Sequence, residues 1–224
     1  DQGVVVTAVA SPEFSTNLLD RQLIALEISN ITPVIYFTKT DLIPDERYQA
    51  FETLAAGYRQ IGYDVCLTLE PFPESGLDEL RRLLADKVTV IMGQTGAGKS
   101  TLLNHISPDL TLATGEISTA LNRGKHTTRK VSLMPVAGGL VADTPGFSSY
   151  DTLTIGYREL GQYFPEFALA SRECRFRGCV HLNEPGCAVK DGIATGQFMQ
   201  SRYDTYLQLL TLLKNQKPVY NKKK

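Results

Sequence analysis

The chain has 224 residues, of which 42% are hydrophobic and 21% charged, and a formal net charge of −1. This fits a soluble, folded protein with one substantial core and a smaller appendage. No apolar run is long enough to cross a bilayer and no secretory signal opens the sequence, which excludes a membrane span and predicts a cytoplasmic protein.

Residues 4–9 read as a strand that starts almost at the first position, so a further module is expected ahead of Asp1. A helical stretch over residues 18–29 leads to a second strand, residues 33–37, marked by β-branched and aromatic content. Thr38-Lys39-Thr40-Asp41 follows directly. The Asp41 carboxylate can accept from the two adjacent donors on guanine, which adenine does not offer, and the Lys39 stem can lie along the ring. Thr38 stands where this element usually carries Asn, and one supporting hydrogen bond is expected to weaken.

A helix over 45–61, a strand over 64–69, a helix over 77–84 and a strand over 88–92 bring the chain to Gly93-Gln94-Thr95-Gly96-Ala97-Gly98-Lys99-Ser100, with Thr101 next. This is a phosphate loop. Its glycines let backbone N–H groups approach a triphosphate, Lys99 reaches the outer phosphates, Ser100 ligates magnesium, and the helix over 100–106 adds positive partial charge at its start. Arg123-Gly124-Lys125-His126-Thr127-Thr128-Arg129 then forms a polar, basic stretch before a strand over 131–136. A switch segment needs a Thr to complete magnesium and terminal-phosphate contacts, and Thr127 or Thr128 can supply it, with Thr128 preferred. Asp143-Thr144-Pro145-Gly146 closes the next strand, residues 138–142; Asp143 can hold magnesium and the Gly146 amide can contact a terminal phosphate. Phe147 follows where Ras-like enzymes carry a water-orienting Gln, so that role must fall to another group, with His126 the internal candidate.

Beyond residue 150 the alternation of strands and helices gives way to helical segments around Cys174-x4-Cys179-x-His181-x5-Cys187 and an amphipathic stretch over 197–213. Three thiols and an imidazole satisfy tetrahedral zinc and leave no open position, which predicts a structural staple; a disulfide pair is the alternative that a reducing cytoplasm disfavours. Cys66 reads as core packing. Residues 171–224 carry 10 basic and 4 acidic side chains against 13 and 20 over residues 1–170, so an anionic partner such as RNA is expected to meet the C-terminal part.

The alternating elements predict an α/β domain over 1–150, a mostly parallel sheet with helices on both faces, followed by a small helical zinc-binding domain over 151–224. The order of motifs is permuted: in an ordinary small GTPase the phosphate loop comes first and the base-reading element last. With T-K-x-D, G-Q-x-G-x-G-K-S-T-L-L-N, G-K-H-T-T-R, D-T-P-G-F and the Cys/His spacing in this order, the chain resembles the RsgA (YjeQ/YloQ) family of bacterial small ribosomal subunit biogenesis GTPases. That resemblance implies an N-terminal oligonucleotide-binding barrel ahead of this chain, a circularly permuted GTPase domain and a C-terminal zinc domain. It further implies binding to the small ribosomal subunit and its rRNA, GTP hydrolysis stimulated by the subunit, and a pocket that guanosine tetraphosphate can share. A monomer is expected. The residue bracing the guanine carbonyl should follow Thr68, but Leu69-Glu70 does not match the family's usual pattern there.

Two other readings stay open on the residues alone. One is a P-loop kinase that passes phosphate to a small molecule, distinguished by base preference and a phosphorylated product. The other makes the zinc module the RNA binder and the nucleotide pocket a regulator of affinity.

Overall fold

The computed structural model describes residues 1–68, 70–108, 133–142 and 153–216. The chain divides into two compact units, Asp1–Tyr150 and Asp151–Lys224.

The first unit is built on one six-stranded sheet: β1 (Gln2–Ala8), β2 (Thr32–Thr38), β3 (Asp64–Cys66), β4 (Val88–Met92), β5 (Leu133–Val136) and β6 (Gly139–Ala142), in spatial order β3-β2-β1-β4-β6-β5. All neighbours are parallel except β5 and β6. β1 lies at the centre of the parallel part, with Val4 opposite Val34 on one side and Ile91 on the other. Covered on both faces, it reads as a nearly unbroken apolar run, and Val4, Val5 and Val6 have no exposure at all.

Successive side chains of β1 point to opposite faces. Val4, Val6 and Ala8 join Leu77, Leu80 and Leu84 of α3 (Glu74–Leu84) and Leu102, Leu103 and Ile106 of α4 (Lys99–Ile106) in one core. On the other face, α1 (Thr16–Ile28) lies so close over β1 that a Cβ on Gly3 would sit 2.5 Å from Leu26. Phe37 there meets Phe51 of α2 (Asp45–Ile61) edge-on at 6.2 Å. Ser15 starts α1 by accepting the Leu18 N–H, and Gly62, at φ +110°, ends α2.

The second unit holds α5 (Pro165–Ala170), α6 (Ala188–Ala194) and α7 (Gln200–Asn215), with 3-10 turns at Leu160–Tyr163 and Ser171–Glu173. Phe164 and Phe167 stack at 5.1 Å, and Tyr206 stands edge-on to both. Beside the rings lies a buried ion pair. Arg202 Nε donates to Glu166 Oε1 at 2.7 Å and its second nitrogen to Oε2 at 3.0 Å, while the guanidinium covers Phe164. No described helix is long and apolar enough to cross a membrane.

Candidate nucleotide site and metal centre

The elements expected to read the base and the phosphates both lie just past the carboxyl ends of strands in the parallel part of the sheet, where ligands bind in such sheets. β2 ends at Thr38 and β4 at Met92, and β1 runs between them. The phosphate loop turns immediately. Gly93 has φ +143°, and a Cβ there would lie 2.1 Å from the Val6 carbonyl, so no other residue fits. Gly96 and Gly98 also take positive φ, and Gly98 opens α4 so that the Lys99 and Ser100 backbone stands at the helix start. Ala97 N–H closes the turn on the Gln94 carbonyl at 3.1 Å, with Thr95 inside the turn and Thr101 in the first turn of α4.

Lys99 folds over this loop and donates to the carbonyls of Gly93 at 2.8 Å and Gln94 at 2.7 Å. Its burial lowers the ammonium pKa, and an incoming anion is the group that would restore it. Ser100 is buried in the first turn of α4.

Thr38 joins the two elements. Its hydroxyl donates to the Ala97 carbonyl at 2.6 Å, and it lies 3.4 Å from the Thr7 carbonyl. The expected weakening at this position is therefore offset: the Thr makes a short bond of its own to the phosphate loop. A Cβ on Gly98 would stand 3.5 Å from the same hydroxyl, so the loop is packed directly on it. Lys39 sits in the left-handed region at φ +57° and caps the 3-10 turn Thr40–Leu42, which leaves Asp41 exposed. Lys39 Nζ donates to the Ser11 carbonyl. Nothing in the sequence flagged this contact, because Ser11 takes part through its backbone. The strand expected over 64–69 stops at Cys66, and two residues beyond it the Thr68 hydroxyl donates to the Glu70 carbonyl at 2.8 Å.

His126, Thr127, Thr128, Asp143, Gly146 and Phe147 lie outside the described residues.

In the second unit Cys174, Cys179, His181 and Cys187 converge, with ligand atoms all within 4.8 Å of one another and no disulfide among them. His181 Nδ1 faces the thiols, 3.3 Å from Cys187 Sγ and 3.8 Å from Cys174 Sγ. Zinc–sulfur bonds of about 2.3 Å and zinc–nitrogen bonds of about 2.0 Å separate tetrahedral ligand atoms by about 3.5–3.8 Å, so the set fits that ion. Burial lowers the His181 pKa and keeps the imidazole in its neutral, ligating form. Burial raises the Cys179 thiol to about 12, with the neighbouring thiols adding to it, a shift that a bound cation reverses.

The loop carrying His181 is fixed by groups that the spacing of the Cys and His residues did not announce. The Glu184 carboxylate accepts the N–H groups of Val180, Leu182 and Asn183 at 3.0, 2.8 and 3.1 Å, which lowers its pKa against the opposing effect of burial. From α7, Tyr203 donates to the His181 carbonyl at 2.6 Å and Tyr206 to the Val180 carbonyl at 2.8 Å.

Residues 1–153 match the family described as RsgA GTPase. A relative in Lactiplantibacillus plantarum, small ribosomal subunit biogenesis GTPase RsgA 1, is 61% identical over the whole of this chain, which spans 75% of that relative. The chain belongs to the RsgA GTPase family. It is accordingly a GTP hydrolase, and membership implies magnesium bound with the nucleotide. The crystal structure described as YloQ, a circularly permuted GTPase, is similar with TM-score 0.80 and 41% identity, over 98% of this chain and 70% of that one. YjeQ from Thermotoga maritima is similar with TM-score 0.82 and 32% identity, over 97% and 72%. This family member thus has the permuted GTPase fold, with the Thr38-Lys39-Thr40-Asp41 element ahead of the phosphate loop.

Proposed function

We propose that the chain is a GTPase of late small-subunit maturation, which hydrolyses GTP when bound to the small ribosomal subunit and leaves once GDP has formed. In this reading residues 1–150 are the permuted GTPase domain and residues 151–224 a helical zinc-binding domain. Asp41 and Lys39 select guanine, with Thr38 holding their element on the phosphate loop. The backbone from Gly93 to Thr101 cradles the phosphates, Lys99 neutralises the outer ones, and Ser100, Thr128 and Asp143 hold magnesium. Water attacks the terminal phosphorus, the bond to the bridging oxygen breaks, and GDP and inorganic phosphate result. His126 orients the water, since Phe147 offers no polar group, and Gly146 reports the terminal phosphate.

Cys174, Cys179, His181 and Cys187 hold one structural zinc ion. Guanosine tetraphosphate shares the nucleotide pocket, and the protein acts as a cytoplasmic monomer on the subunit and its rRNA.

The observation that carries this reading is the Thr38–Ala97 bond, which ties a guanine-type element to a phosphate loop in permuted order. It occurs in a chain 61% identical to a protein named for small-subunit biogenesis. The test is GTP turnover with and without purified small subunits, in a chain that carries the family's N-terminal barrel. Stimulation by small but not large subunits is expected; equal turnover in all three conditions would overturn the reading.

A further inference from the structure

The aromatic core of the second unit is closed to water: Phe164 and Phe167 are fully buried and Tyr206 is 1% exposed, whereas Phe176 is 45% exposed. Phe176 lies in Cys174-Arg175-Phe176-Arg177-Gly178-Cys179, between two thiols of the cluster. Arg172, Arg175 and Arg177 are exposed on the same run, and Glu173 is the only acidic residue between positions 171 and 178. The run is a held turn. Arg175 N–H donates to the Gly186 carbonyl at 2.9 Å, Cys179 N–H donates to the Phe176 carbonyl at 3.3 Å, and Gly178 takes φ +75°. The Arg175 guanidinium lies 5.4 Å from the Phe176 ring centroid.

A held turn thus presents a half-exposed ring with the Arg175 guanidinium over it, and the exposed Arg172 and Arg177 lie within four residues of it in the sequence. Guanidinium groups match phosphate oxygens in pairs, and an exposed aromatic face takes any unstacked base. Duplex RNA offers no such base, because its bases are already stacked on each other. We propose that Arg172, Arg175, Phe176 and Arg177 form a docking surface for single-stranded RNA, in which Phe176 stacks an unpaired base and the guanidinium groups hold the flanking phosphates. The proposal rests on the reading that the chain works on the small subunit, and it adds which residues meet RNA and in what state the RNA must be.

The test is fluorescence anisotropy of the full chain with a short, unstructured, labelled oligoribonucleotide, at several salt concentrations. Phe176→Ala should weaken binding about tenfold with an unchanged salt slope, and Phe176→Tyr should restore most of it. Arg175→Gln with Arg177→Gln should instead flatten the slope by about 0.7 for each phosphate left without its guanidinium. Zinc content, measured on every variant, should stay at the wild-type level.

Wild-type affinity in Phe176→Ala overturns the proposal, as does an equal loss of affinity for a blunt RNA duplex. So does a loss of subunit-stimulated turnover in Phe176→Ala with RNA binding unchanged, which would point to a protein partner. If wild-type turnover is not stimulated by subunits at all, the functional reading fails, while the anisotropy result still decides the fate of this surface.

Discussion

Thr38 shows how one hydroxyl can couple two candidate binding elements. Buried at 2% exposure, it supplies a donor to the Ala97 carbonyl inside the phosphate loop. Thr38→Val keeps the shape and removes the donor, which leaves a buried carbonyl unsatisfied at about 1–3 kcal/mol. Affinity for a fluorescent GTP analogue should fall about tenfold, with Thr38→Ser close to wild type. Equal affinities for the Val and wild-type proteins would show that the bond does not support the loop. Cys66 offers a separate test at the end of β3. Burial, with Glu79 and Asp64 adding to it, raises its thiol from about 9 to about 12. The folded protein therefore keeps a proton that the unfolded chain releases above pH 9 or so. The contribution is complete below that point and is lost as pH rises toward about 12, at up to about 1.4 kcal/mol per pH unit. Urea midpoints of Cys66→Val should decline less than wild type between about pH 8 and about pH 10.5; parallel declines would rule out this origin.

Among the elements, α7 is the spine of the second unit, since it supplies Arg202 to Glu166, Tyr203 to the His181 carbonyl and Tyr206 to the Val180 carbonyl. Arg202→Met should destabilise this unit by about 3–5 kcal/mol, because the Glu166 carboxylate stays buried without its partner. Arg202→Met with Glu166→Leu should recover most of that loss, as the remaining groups are apolar. Thermal unfolding followed by near-ultraviolet dichroism of the tyrosines distinguishes the two, and a double variant no better than the single one would contradict the assignment. Periodicity and punctuation make several elements legible in the sequence: α2 and β4 fall on the residues that these signals mark, 45–61 and 88–92. The four-ligand cluster is legible because thiols and imidazoles are rare and their spacing is specific. Glu184, Tyr203 and Tyr206 are not, because each bonds a backbone group, and a backbone partner leaves no mark in the sequence. The early end of β3 is hidden for the same reason, since it accompanies the Thr68 hydroxyl turning to a carbonyl two residues on.

At the scale of the molecule, the two units draw on separate resources. The phosphate loop, Thr38, Lys39 and their braces all fall within residues 1–108, and the four ligands with Glu184, Tyr203 and Tyr206 all fall within residues 153–216. Among its described residues the second unit has three helices, two of them short, around a few buried rings, a core of the size at which a metal staple contributes to folding. In such modules the free energy of metal binding is itself folding free energy. Cys179→Ser removes one thiolate of the set and should bring bound zinc from about one ion per chain to near none, with loss of order in residues 153–216. The phosphate loop is braced by β1, β2 and α4, none of which belongs to that unit, so nucleotide affinity should stay at the wild-type value. Subunit-stimulated turnover should fall far more than affinity, because the disordered unit includes the Arg172 to Arg177 surface. Metal analysis, nucleotide titration and stimulated turnover on the same preparation decide the matter. Wild-type zinc content with intact stimulation would show that the cluster is not a structural metal site, and a parallel loss of nucleotide affinity would show that the two units do not fold independently.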